Sequence, residues 1–435
     1  MNTTVTNTAI DSALEEAIER YTRKNPESLR QHERAARHLP GGNTRTVLFY
    51  EPFPITLTSG EGAYVTSLDG GRYVDFLGEY TAGLFGHSDP IIRQAIDHAL
   101  DRGIVLGGHT ETESKLAEAL CQRYPSIERL RFTNSGTEAN VMAISTARAV
   151  TGREKIMVFE GAYHGGVLTF AGEGPLNAPF DFVRATYNDA DRALALAAEH
   201  GNDLAAIIVE PMLGAGGCIP AERPFLAALR EAADRHGAIL IFDEVMTSRL
   251  SPGGLQAVHE IAPDMTTLGK YIGGGLSFGA FGGREDIMRR FDPHLPGAFA
   301  HAGTFNNNIL TMSAGLAAMT QVFTPDAATA LTERGEALRH RLNALAQKAG
   351  AAMHFTGYGS LMTAHMQRGR IRAPQDAAGS NKQLRDLFFF DLLEHGVWFS
   401  RRGMINVSLP AGTAELAQLE AAVEEFMDSR ATLLG

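Results

Sequence analysis

Of the six lysines in the chain, Lys24, Lys115, Lys155, Lys270, Lys348 and Lys382, only Lys270 lies in an apolar, glycine-flanked setting: Thr266-Thr267-Leu268-Gly269-Lys270-Tyr271-Ile272-Gly273-Gly274-Gly275. An amine held among apolar groups has a lowered pKa, which lets it attack a carbonyl or act as a base. The usual fate of lysine, a stem along a loop edge with its charge in water, fits this context less well than catalysis. Two acids close apolar runs: residues 204–209 lead into Glu210, and Ala238-Ile239-Leu240-Ile241-Phe242 leads into Asp243-Glu244. A third feature, Asn134-Ser135-Gly136-Thr137-Glu138, stands between the strand candidate Arg131-Phe132-Thr133 and a helical stretch to about Val150, closed by Gly152. Ser135 and Glu138 match the S-x-x-E capping box. A helix N-terminus with outward amides, two hydroxyls and a glycine can cradle a phosphate. A plain capped helix has the same pattern, so the strand-end acids and Lys270 are what tip the reading toward chemistry.

These groups need a scaffold that gathers them at one edge. Continuous apolar runs predict strands buried on both faces, and in open parallel sheets ligands bind beyond the carboxyl ends of the strands. Glu210 and Asp243 are expected there. Between about residues 80 and 325, short β-branched runs alternate with helical patterns, as in 204–209, the helix near 224–236, and 238–242. That alternation predicts βαβ units and a mostly parallel sheet covered by helices. Residues 12–39 carry helical charge patterning, which Pro40-Gly41-Gly42-Asn43 breaks. Farther on, Thr324 and Pro325 open a helix with Leu331, Leu338, Leu342 and Leu345 on one face; a strand candidate follows at 397–400 and a last helix from about 413 towards 433. The expected class is α/β, with an N-terminal arm and lead-in segment over 1–79 joining the small domain, a large domain over 80–325, and a smaller α+β domain over 326–435.

The 435 residues give ample length for a large core. An apolar share of 44 %, a charged share of 20 % and a net charge of -11 exclude a disordered polyampholyte and disfavour nucleic acid as a partner. Two cysteines, Cys121 and Cys218, give neither a disulfide framework nor a metal site. The N-terminus lacks the basic-then-apolar pattern of a secretory signal. Acids interrupt the apolar runs well before the roughly 18 residues a membrane span needs. The reading is a cytoplasmic protein without metal or membrane contact.

The motifs Asn134-Ser135-Gly136-Thr137-Glu138-Ala139-Asn140, Gly161-Ala162-Tyr163-His164-Gly165, Phe242-Asp243-Glu244-Val245, Gly269-Lys270 and Gly303-Thr304-Phe305 occur in this order. They resemble those of the class III aminotransferases, pyridoxal-phosphate enzymes of fold type I, and the resemblance covers nearly the whole chain. It implies pyridoxal 5'-phosphate as cofactor, Lys270 in covalent link with it, and Asp243 paired with its pyridine nitrogen. It also implies Ser135, Gly136 and Thr137 at the phosphate, Tyr163 and Val245 on the two ring faces, and Glu210 in support. Thr304 would reach the phosphate of the neighbouring subunit in a homodimer. His164 suits a structural role as well as a functional one. An anionic Asp243 keeps the pyridine nitrogen protonated, so the ring draws electrons from the substrate carbon. Lys270, once displaced by the substrate amine, becomes the base that moves the proton.

Within that family, Gly42-Asn43-Thr44-Arg45-Thr46-Val47-Leu48-Phe49-Tyr50 and Phe399-Ser400-Arg401-Arg402-Gly403 look like the two carboxylate-binding segments of the β-amino acid (β-phenylalanine) aminotransferases, in the glutamate-1-semialdehyde aminomutase-like branch. Arg45 would hold the carboxylate of a β-amino acid, and Arg402 the α-carboxylate of a keto-acid acceptor. In a β-amino acid the amine sits one carbon further from the carboxylate than in glutamate, so two anchors let both acids present nitrogen to one point. Arg401 stands where the family has proline and is expected in solvent. Tyr80, Phe85 and Met246 suit an aryl pocket or the core alike. The implied activity is ping-pong transamination from an aromatic β-amino acid such as (S)-β-phenylalanine to 2-oxoglutarate or pyruvate. A glutamate-1-semialdehyde-type 2,1-aminomutase and a non-catalytic cofactor-binding protein stand as alternatives.

Overall fold

The computed structural model describes residues 3–435, with side chains from residue 9; Met1 and Asn2 of the expected arm lie outside the described residues. The chain forms two compact units. The larger holds Pro90–Glu333 and Ile371–Asp376; the smaller holds the N-terminal chain to Asp89, Arg334–Arg370 and Ala377–Gly435.

Seven strands make the central sheet of the larger unit: Arg129–Thr133 (β1), Lys155–Phe159 (β2), Asp181–Ala185 (β3), Leu204–Val209 (β4), Ile239–Asp243 (β5), Met265–Gly269 (β6) and Gly279–Gly283 (β7). Their spatial order is β1-β7-β6-β5-β4-β2-β3. The pairs β3–β2, β2–β4, β4–β5 and β5–β6 are parallel, and β7 is antiparallel to both its neighbours. The α/β class with a mostly parallel sheet is thus the one the apolar runs predict. Every residue of β4, β5 and β6 is buried, as strands covered on both faces must be. These three are neighbours in mid-sheet, and their carboxyl ends lead into Glu210, Asp243 and Lys270. β1 runs the same way and delivers Ser135 and the helix Gly136–Thr151, which ends at Gly152 in the left-handed conformation, φ 68°.

The opposite edge is stapled by one buried acid. Asp264, just before β6, accepts from the Leu240 amide at 2.8 Å and Arg230 at 3.0 Å through Oδ2, and from Arg284 at 2.7 Å through Oδ1. It therefore ties the starts of β5 and β6 to the helix Arg223–His236 and to the exit of β7.

The smaller unit has a four-stranded sheet, Leu57–Glu61, Tyr64–Ser67, Arg72–Asp75 and Val397–Trp398, and a three-stranded antiparallel sheet, His354–Tyr358, Leu361–His365 and Met404–Asn406. Its limits differ from those expected. Residues 80–89 fold with it because Asn406 N bonds Phe76 O and Leu409 N bonds Leu84 O, both at 2.8 Å, which fastens that stretch to the C-terminal strands. The second division falls inside the helix Pro325–Ala349, and residues 371–376 belong to the larger unit, where Arg372 forks onto Glu222 at 2.8 and 2.6 Å. The N-terminal helical arm is two helices, Thr3–Lys24 and Pro26–Ala35, because Pro26 keeps Asn25 out of the helical region, at φ -125° and ψ 50°.

Asp264→Ala removes the acceptor of the Leu240 amide and one of two acids from each arginine, Arg230 keeping Asp234 and Arg284 keeping Asp286, a loss of about 2 kcal/mol. The apparent Tm falls in thermal unfolding, and Asp264→Asn, which keeps an acceptor for the Leu240 amide, falls less. An unshifted Tm for Asp264→Ala would show that the staple adds nothing.

Candidate active site

Asp243, the last residue of β5, is only 4 % exposed and receives three hydrogen bonds. Its Oδ2 lies 2.8 Å from His164 Nδ1 and accepts from Asn140 Nδ2 at 2.8 Å; its Oδ1 accepts from the Val245 amide at 3.0 Å. Because a carboxylate can only accept, His164 Nδ1 carries the proton in this pair. Asn140 also donates to His164 O at 2.9 Å and accepts from Thr267 Oγ1 at 2.6 Å. Thr267 is the register partner of Asp243 on β6. Oδ1 keeps an acceptor position for one more donor, since two carboxylate oxygens offer about four lone-pair sites.

Glu244, the next residue, turns away from this cluster. It accepts from the Leu255 and Gln256 amides at 2.8 and 2.9 Å and from Thr247 Oγ1 at 2.8 Å, so it builds the start of the helix Gly254–His259. Burial raises its pKa. Glu210 is held by the Tyr163 amide at 3.0 Å and the Gly214 amide at 3.1 Å. Burial pushes its carboxyl up to about 7, the charge of Asp243 adding to the rise and His164 opposing it.

Ser135 caps its helix, its Oγ accepting from the Glu138 amide at 3.1 Å, while Glu138 reaches back to the Asn134 amide at 2.7 Å. The amides of Gly136 and Thr137 belong to the first turn, where helix geometry supplies no acceptor. A Cβ at Gly136 would stand 2.8 Å from Val245 Cγ1, and one at Gly269 would stand 3.0 Å from the same atom. These two glycines leave the space beside Val245, and Gly165 likewise lies against the Thr137 side chain, whose Oγ1 accepts from Gly166 N at 3.2 Å. Lys270 opens the turn Lys270–Gly273 with φ 55°, a left-handed conformation that non-glycine residues seldom adopt. Tyr163 is 42 % exposed, so its ring is available to a ligand. An anion cradle, a buried acid with acceptor capacity, an amine and an exposed aromatic face on one sheet edge fit a flat phosphorylated cofactor with a basic nitrogen and a carbonyl.

The larger unit therefore gathers Ser135, Gly136, Thr137, Tyr163, Glu210, Asp243, Val245 and Lys270 at one edge. Thr304 is exposed and borders a cavity of about 390 Å³ with Ile104, Val105, Leu106 and Phe305. The smaller unit holds Arg45 and Arg402, both beside the Tyr80 ring, with guanidinium carbons 6.0 and 5.4 Å from its centroid. Arg45 also pairs with Glu79. Arg401 is not solvated as expected: it forks onto buried Asp386 at 2.9 and 2.8 Å. Phe85 is core, 6 % exposed. Asn140 and Thr267 are the residues sequence reasoning missed. The signal for Asn140 was a lone amide on a helix face whose other buried residues are chiefly Ala139, Ala143, Ile144 and Ala147. Among the described residues no His, Cys, Asp or Glu cluster is placed to hold a metal, and no helix is long and apolar enough to cross a membrane.

Residues 49–429 match the family described as aminotransferase class-III. A β-phenylalanine transaminase of Variovorax paradoxus is 54 % identical over 431 residues, 99 % of each chain. A crystal structure of a β-phenylalanine aminotransferase from that organism superposes with a TM-score of 0.96 at 55 % identity, covering 98 % of this chain and 99 % of the other. A glutamate-1-semialdehyde 2,1-aminomutase of Lachnoclostridium phytofermentans is 37 % identical over 388 residues, 85 % of this chain and 91 % of that one. A transaminase structure with PLP bound has a TM-score of 0.86 at 33 % identity, covering 93 % of this chain and 98 % of its own. With its motifs and fold in agreement, the chain belongs to the class III aminotransferases and is an enzyme of that class, with pyridoxal 5'-phosphate as its cofactor.

Proposed function

We propose that the enzyme moves the amino group of an aromatic β-amino acid, (S)-β-phenylalanine or a near relative, to 2-oxoglutarate or pyruvate in a ping-pong sequence. The observation that carries the substrate reading is the pair of guanidiniums, Arg45 and Arg402, against one tyrosine ring; the 54 % identity to a β-phenylalanine transaminase supports it. A donor and an acceptor whose carboxylates lie at different distances from the reacting carbon need separate anchors. Arg45 takes the donor carboxylate and Arg402 the α-carboxylate of the keto acid, each through a fork suited to two oxygens.

Bound pyridoxal phosphate supplies the electron sink and carries the amino group between the half-reactions. Lys270 would hold the cofactor through Nζ and, when free, would serve as the base that takes the proton from the amine-bearing carbon. Asp243 would hold the ring nitrogen in its protonated form through the acceptor capacity left on Oδ1, with Oδ2 already committed to Asn140 and His164. Ser135, Gly136 and Thr137 bind the phosphate through first-turn amides and hydroxyls. Tyr163 and Val245 would pack against the cofactor ring. Glu210 supports Tyr163 through its amide. Thr304 serves the phosphate site of a second copy. Its neighbours Val105, Leu106 and Phe305 are 79 %, 55 % and 61 % exposed, an apolar face of the kind a homodimer covers.

A single turnover with β-phenylalanine and no keto acid tests the reading. The expected products are one equivalent of β-keto acid per site, or the ketone left by its decarboxylation, and an amine that leaves only when 2-oxoglutarate or pyruvate is added. Isomerised amino acid formed without any keto acid would make the enzyme an aminomutase. Lys270→Ala slows the turnover by about 10³-fold or more, and borohydride reduction of the parent fixes the cofactor's mass on the peptide that contains Lys270. Label on another peptide would move the role elsewhere.

The folded-state pKa of Glu210, about 7, is raised above its ordinary 4.5. Between these values the folded chain keeps a proton that the unfolded chain has lost, so this group's stabilisation falls as pH rises from about 4.5 to 7 and is flat above. Thermal unfolding from pH 5 to 8 should show the Tm of the parent declining relative to Glu210→Gln; parallel curves would mean that Glu210 is charged throughout.

A further inference from the structure

Tyr80 touches both anchor segments twice. Its ring lies beneath the guanidiniums of Arg45 and Arg402, both within cation–π range. Its hydroxyl donates to Val47 O at 2.8 Å, two residues from Arg45, and stands 3.3 Å from Ser400 Oγ, which accepts from the Arg402 amide at 3.3 Å. With the tyrosine proton on Val47, Ser400 is the donor in that second bond.

The backbone that delivers this ring is unusual. Gly78, Glu79, Tyr80 and Thr81 have φ of 51°, 47°, 51° and 83°, a run that L-residues avoid because Cβ crowds the following carbonyl. Such a run persists only where its surroundings hold it. Asp75 Oδ1 accepts from the Leu77 and Gly78 amides, each at 2.9 Å, and Asn406 Nδ2 donates to Leu77 O at 3.4 Å and Gly78 O at 3.3 Å. The two arginines differ in their other partners. Arg45 pairs with Glu79, whereas Arg402 makes no ion pair among the described residues, the nearby acid Asp386 being taken by Arg401.

We propose that Tyr80 is a positioning residue that holds both carboxylate anchors on one support, so that recognition of the amino donor and of the keto-acid acceptor depends on the same side chain. This rests on the assignment of Arg45 and Arg402 to the two carboxylates. The ring fixes the direction of two rotamer-rich side chains, and the hydroxyl fixes the loops that carry them. A tyrosine that merely walled the donor's aryl group would leave the acceptor untouched.

The test is steady-state kinetics of the cofactor-loaded enzyme with β-phenylalanine and 2-oxoglutarate. Tyr80→Leu should raise the KM of both substrates roughly tenfold, with kcat falling less than KM rises, and Tyr80→Phe should raise both by about threefold. Arg45→Ala should raise the donor KM alone and Arg402→Ala the acceptor KM alone. If the arginine variants behave so but Tyr80→Leu moves only the donor KM, or neither, the shared support is overturned while the anchors stand. If neither arginine variant moves a KM, the anchor assignment falls and the proposal with it. Should Tyr80→Leu not fold, Tyr80→Phe decides alone, and unchanged KM values overturn the proposal.

Discussion

A carboxylate taken out of water costs several kcal/mol unless donors surround it, and the larger unit is organised around meeting that cost for Asp243. Its three donors come from three different pieces of chain: the amide of Val245 at the strand exit, Asn140 on a helix, and His164 on a loop. Satisfying one acid thus locks strand, helix and loop together. Thr267 extends the lock to β6, the strand that delivers Lys270. The helix adds a ruler: Ser135 caps it and Asn140 is five residues on, about 7.5 Å of rise. The spacing between the helix start at Ser135 and the buried acid is therefore set by helix pitch rather than by loop conformation.

Backbone strain falls on residues assigned to function in both units. Lys270 and Tyr80 are among the few non-glycine residues at positive φ, and each is braced by its neighbours. Lys270 leaves a strand buried along its length, and Tyr80 follows a carbonyl pair held by Asn406. A left-handed residue aims its side chain where a regular strand or helix would not, which gives such strain a use at a binding edge.

Much of this was legible because its causes are local. A strand buried on both faces has to be apolar throughout, so 204–209 and 238–242 announce themselves, and the acids that follow them must lie at the sheet edge. A capped helix start is written in the two residues that make the cap. The glycines around Lys270 mark its setting. Other features depend on partners far away in sequence. Asn140 reads as one polar residue in a small-residue helix until Asp243, 103 positions on, is beside it. Arg401 and Arg402 are neighbours of the same type, and only Asp386, on a helix 15 residues upstream, decides which of them is neutralised. The unit boundaries were displaced for the same reason: the bonds of Asn406 and Leu409 to Phe76 and Leu84 span more than 300 residues. Thr304 sits on an exposed loop whose composition marks no role without the family's pattern.

The contrast between Arg401 and Arg402 bears on the anchor role proposed for Arg402. A guanidinium must be aimed, yet an acid that aims it also occupies the fork and cancels the charge, as Asp386 does for Arg401. An aromatic face aims the group through its quadrupole and leaves the N–H edge open. Arg402 has that support without an acid partner among the described residues; Arg45 has it together with Glu79. The Arg45–Glu79 pair is about half exposed on both sides, and exposed pairs contribute only about 0–1 kcal/mol. On the proposed reading, a donor carboxylate with contacts of its own would displace Glu79 at small cost, and the tyrosine would remain as the fixed support of both arginines.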